Sequence, residues 1–133
     1  MTKSARHDWS PDWDHAGFLR VAWEVLRTRP FAAAVPRVRR ASLRGVEHAT
    51  LTLAWLRLVD AGLAHADEAA REDLDAFLAG HPHLRDPDHV LVHYSPARIG
   101  SARARREFVL PDRAPLPRSA RHDLEGRDSV RTA

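Results

Sequence analysis

The run from Leu51 to Val59 constrains the fold more than any other stretch. Leu51, Leu53, Ala54, Trp55, Leu56, Leu58 and Val59 leave almost no polar side. A segment that is apolar nearly all round has to be enclosed by the rest of its chain. The run is far shorter than the roughly 20 residues a membrane-spanning helix needs, so no membrane partner is expected. Read as a helix, it extends from Val46 to Ala61, with Gly62 placed where a C-terminal glycine cap would sit. Leu51, Leu53 and Trp55 also alternate as a strand would. The length of the run and the glycine behind it favour the helix.

Other segments carry helical grammar. Ser10-Pro11-Asp12 reads as a helix start: a capping hydroxyl, a proline at the first helical position and acids at the positive end of the dipole. Phe18, Leu19, Ala22, Val25 and Leu26 then fall on one face. Pro30 is expected to end this helix near Thr28, Pro30 to Val35 to make a turn or two, and the basic stretch Arg37 to Arg44 to be exposed. Ala66 to Ala79 is amphipathic, with Ala70, Leu74, Phe77 and Leu78 opposite Glu68, Glu72, Asp73 and Asp75, and with Gly80 as its stop. Asp86-Pro87 and Ser95-Pro96 repeat the starting signal, predicting helices over 88–94 and 97–106. Val90 to Val92 paired with Phe108 to Leu110 as strands is the alternative. Beyond Pro111 apolar residues thin out, and 113–133 reads as a disordered tail. The expectation is an all-α compact bundle of about four to six helices over residues 10–112.

Charge and composition exclude several function classes. The chain has no cysteine, which removes disulfides, thiolate catalysis and cysteine-based zinc sites. The formal net charge of +3 is unevenly spread. Residues 1–95 carry 12 basic and 13 acidic groups, whereas residues 96–133 carry 9 and 5. The body is therefore near neutral and the end is basic. Nucleic-acid binding needs a concentrated patch, and interleaved aromatics for single strands; beside Arg98, Arg103, Arg105 and Arg106 only Phe108 qualifies. Met1 to Ser10 lacks an apolar signal core, so a cytoplasmic location is expected.

Polar residues interrupt the apolar segments, and they are the candidate site. His15 and His48 are the candidate acid–base pair, since imidazole titrates near neutrality. Asp14, Thr50, Thr52, Tyr94 and Ser95 are candidate ligand-binding residues. Each has a plainer reading. The threonines can bond to the preceding turn of helix, Ser95 can cap, and buried Tyr94 needs a partner, for which Glu47 or His48 would serve. Trp23 and Trp55 are expected in the core. His89-x-x-x-His93 is the best metal spacing, with Asp86 or Asp88 as third ligand, and His81-x-His83 is weaker; no metal site is assigned. No motif indicates a cofactor, and no Ser-His-Asp or glycine-rich phosphate pattern is present.

Taken in order, Asp14-His15, His48-x-Thr50-x-Thr52 with Trp55, Phe77-Leu78-x-x-His81-Pro82-x-Leu84, His93-Tyr94-Ser95 and Phe108-Val109-x-Pro111-Asp112 resemble a family of short uncharacterised bacterial proteins. The resemblance covers about residues 12–112 and implies residues rather than a reaction. The family's central motif usually reads Tyr-His-Glu-Thr and its later one Tyr-Tyr-Ser, so Ala49 stands where a glutamate is usual. Trp13 or Asp12 stands near a position where a second histidine often occurs. Together these features predict a domain that binds a small polar or anionic molecule in a buried His/Thr/Tyr pocket, with acid–base chemistry open to it. The alternative is a non-enzymatic accessory protein that holds an acidic protein or nucleic acid through its arginine-rich end.

Overall fold

The computed structural model describes residues 14–42 and 48–117. Among them the architecture is all-α, with no strand. The Ser10-Pro11 helix start, Trp9, Trp13, Glu47 and the chain beyond 117 lie outside the described residues.

Helix α1, His15–Leu26, starts at Asp14, whose side chain accepts from the Gly17 amide at 3.1 Å. His15, Phe18, Leu19, Ala22, Trp23 and Leu26 form its buried face. Pro30 does not merely end α1; its carbonyl accepts from Ala33 and Ala34 at 3.0 and 2.9 Å and opens the next helix. That helix, α2, is Phe31–Ser42 and continues through Pro36. The expected short turn and the basic stretch as far as Ser42 are thus one helix; Arg44 lies outside the described residues. The cause of the single helix is the apolar stripe Phe31, Ala34 and Val38, buried at helical spacing on both sides of the proline.

The apolar run is α3, Ala49–Ala64, which rules out the strand reading. Trp55 at its centre is fully enclosed. The helix starts three residues later than expected, at Ala49, and runs past Gly62. Gly62 is not a cap: a Cβ there would lie 3.1 Å from Phe77 Cζ, so the glycine permits a close crossing.

The single helix expected over 66–79 is two, α4 (Glu68–Glu72) and α5 (Leu74–Gly80). Asp73 separates them with extended backbone (φ −138°, ψ 119°) and caps α5 through the Ala76 amide. A carboxylate able to cap its own chain competes with continuing the helix. Gly80 ends inside α5 rather than beyond it. Two 3-10 turns follow, Pro82–Arg85 and Pro87–Val92. The helix expected over 97–106 breaks at Gly100-Ser101 into α6 (Pro96–Ile99) and α7 (Ala102–Arg106), capped by Ser95 and Ser101.

After α7 the chain extends across the bundle. It stays attached beyond Asp112: the Arg113 amide donates to the His93 carbonyl at 2.9 Å, and Leu116 packs on the core. The expected disordered tail therefore does not begin at 113. No helix among the described residues is long and apolar enough to cross a membrane.

Candidate functional site

The residues expected to line one pocket fall into two separate places. Three of them, Thr50, Tyr94 and Ser95, hold the extended segment 107–114, here called the strap. The Thr50 hydroxyl donates to the Glu107 carbonyl at 2.8 Å and accepts from the Val109 amide at 3.0 Å. It reaches across to the strap instead of bonding back along its own helix. Tyr94, fully buried, donates to the Val109 carbonyl at 2.7 Å. Both backbone groups of Val109 are thereby satisfied by side chains, as burial demands. Burial pushes the Tyr94 hydroxyl up to about 12, since the phenolate has no water to stabilise it.

Ser95 serves two roles. Its hydroxyl donates to Asp112 at 2.7 Å and accepts from the Arg98 amide at 3.2 Å, the capping bond of α6. Its amide reaches the other Asp112 oxygen at 2.8 Å. These two bonds hold the Asp112 carboxyl below its ordinary range. Arg98 donates to the Leu110 carbonyl at 2.6 Å. His93 donates through Nδ1 to the Ala114 carbonyl at 3.1 Å.

His48 is a helix cap. Its Nδ1 accepts from the Leu51 amide at 3.1 Å. Nδ1 is therefore unprotonated, and Nε2–H donates to the Ile99 carbonyl at 2.7 Å. Both ring nitrogens hold backbone, which leaves neither for a ligand. Burial lowers the His48 pKa; the Ile99 bond opposes this in part, and Arg105 lowers it further. Thr52 is buried in the same helix. Asp14, exposed, caps α1.

His15 lies elsewhere. Its ring meets the edge of Trp55 with centroids 4.4 Å apart, and Nε2–H donates to the Leu84 carbonyl at 2.7 Å. Trp55 is seven residues from His48, about 10 Å along the helix, so His15 and His48 do not share a site.

His15 instead lines a groove of about 380 Å³. One wall is α1, through His15, Ala16, Leu19 and Arg20; the other is α5, through Leu74, Asp75 and Leu78, with Arg85 closing an end. Three contacts fix the direction of the walls. His15 meets Leu84, Trp23 donates to Ala70, and Arg27 donates to Arg71. Chain order reverses between the partners, so α1 begins beside the 82–85 turn and runs toward α4. Arg85 and His15 thus stand at one end of the groove, and Arg20 and Asp75 toward the other. Sequence reasoning found only His15. Arg20, Asp75 and Arg85 look like ordinary surface charges; the one available signal was that Leu19-Arg20 and Leu74-Asp75 set each charge beside an inward leucine.

Four further histidines, His81, His83, His89 and His93, stand in a row with their rings tilted or edge-on to one another. Ring centroids are 6.1 Å apart for His81 and His83, 4.8 Å for His83 and His89, and 6.0 Å for His89 and His93. Burial lowers the pKa of His83 and of His89; His81 adds to the first, and His83 and His93 to the second. Among the described residues no three histidine or acidic side chains converge as a metal site would require. Comparison with protein-family models, with curated proteins and with solved structures found no match, so the site rests on its own geometry.

Proposed function

We propose that this protein binds a small anionic molecule in the groove between α1 and α5. One observation carries the reading. Arg20 and Arg85 line the groove, and neither guanidinium makes a hydrogen bond or ion pair among the described residues. By contrast, the guanidiniums of Arg27, Arg71, Arg98 and Arg113 each donate to a backbone carbonyl, and Arg37, Arg39 and Arg40 lie exposed on α2, outside the groove. The groove volume lies within the range of small-ligand sites, about 300–1,000 Å³. Leucines along both walls supply apolar contact, and His15 offers a polar edge at the Arg85 end. In this reading Thr50, Tyr94, Ser95 and His48 support the fold around the groove instead of touching ligand.

The arginine-rich end is the less favoured partner surface. Arg103 is paired with Glu107 at 2.6 Å and Arg98 is bound to a carbonyl, so fewer cations remain there for an acidic partner.

Adipate, a plain dicarboxylate, is the probe. A ligand at about 100 times its Kd stabilises by about 2.7 kcal/mol, so a saturating rise in thermal midpoint is expected. Sodium sulfate at matched ionic strength should not reproduce it. Arg20→Ala and Arg85→Ala should each weaken binding about tenfold. A midpoint that follows ionic strength alone would overturn the proposal.

A further inference from the structure

Resting on that anion-binding reading, we infer that the groove takes an α-amino dicarboxylic acid, with its amino-acid head at Arg20 and Asp75 and its distal carboxylate at Arg85. The charges that line the groove are two arginines and one aspartate. Their sum is +1, and an α-amino dicarboxylate carries the complementary −1. The distribution matches as well as the total. Asp75 makes no ion pair with Arg20 among the described residues, although both lie toward the α4 end. A carboxylate and an ammonium on neighbouring ligand atoms would engage both at once, each with its opposite charge. Arg85 stands alone at the other end, beside the carbonyl that anchors His15.

Spacing and wall chemistry set the length. His15 and Arg20 are five residues apart, about 7.5 Å along a helix, which suits a chain of about six or seven carbons. Between the two charged ends the walls are Leu19, Leu74 and Leu78. Methylenes laid along them would be removed from water, whereas a hydroxylated chain would be left without partners there.

Titration calorimetry on the full chain with three probes tests this. L-2-aminoadipate should bind at least tenfold more tightly than adipate, which lacks the ammonium, and than norleucine, which lacks the distal carboxylate. Asp75→Asn should erase the advantage over adipate while leaving adipate affinity unchanged or improved. Arg85→Ala should bring aminoadipate down to the affinity of norleucine. If adipate binds as well as aminoadipate, the ammonium site is wrong and the anion-binding reading stands. If norleucine binds as well as aminoadipate, the distal contact at Arg85 is wrong. If none of the three binds, both proposals fall together.

Discussion

Protonating His48 would set a ring N–H against the Leu51 amide it now accepts from. The cap would be lost while the Ile99 bond survived. Because burial holds the folded pKa below the ordinary value, the unfolded chain takes up its proton first as pH falls. The stability His48 contributes is therefore fully present above about pH 6.5. It is lost as pH falls below that value toward the folded pKa. His83 and His89, also lowered, act with the same sign. His48→Asn separates the contributions. Asparagine can cap but does not titrate. The variant should be less stable at pH 8 by about 1–2 kcal/mol, for the lost Ile99 bond, and should decline less steeply between pH 7 and 5 than the native chain. Parallel curves in urea melts across that range would show that His48 is not a source of acid sensitivity.

At the scale of elements, the two glycines expected as helix stops behave differently from that reading and from each other. Neither has left-handed backbone. Gly62 is buried where α3 passes the Phe77 ring, and Phe77 is itself enclosed. Gly62→Val should overpack that crossing and cost about 1–3 kcal/mol. At Gly80 a Cβ meets nothing within 4 Å, so Gly80→Ala should gain up to about 1 kcal/mol from reduced backbone entropy. If Gly80→Ala lowers the urea midpoint instead, the glycine is acting as a conformational cap after all. The same elements show what the sequence carried and what it withheld. Apolar stripes such as Phe18–Leu26 and capping pairs such as Asp86-Pro87 are local, and local physics determines them. The break at Asp73 was hidden because a mid-stripe aspartate reads equally as an outer-face acid. The passage of α2 through Pro36 was hidden because the stabilising contacts of Val38 come from elsewhere in the chain.

For the whole molecule, the candidate site was legible only in part. That polar residues inside apolar segments must be paired could be argued from burial cost alone, and Thr50, Tyr94 and His48 are indeed paired. Their partners are backbone groups of Glu107, Val109 and Ile99, distant in sequence. No periodicity reports such pairings. The groove joins α1, α5 and Arg85 and was invisible for the same reason. Attachment of the chain past Asp112 gives a test of its own. Arg113 donates to the Leu91 and His93 carbonyls, and Ala114 accepts from His93. A chain ending at 117 should keep its thermal midpoint, whereas one ending at 112 should melt several degrees lower, since each 1 kcal/mol lost is worth about 4–8 °C in a domain of this order. Equal midpoints for the two truncations would show that residues 113–117 add nothing.

The strap also has a consequence in time. Thr50 meets Glu107 and Val109 across 57 and 59 residues of chain, whereas the helices that present the anchoring side chains form from near neighbours. A long loop must close before the first of those bonds can form, and an extended segment has no internal bonds to hold it ready. The strap is therefore expected to dock after the helices have assembled and to lift before they separate. Weakening its anchors should then speed unfolding and leave the folding rate nearly unchanged.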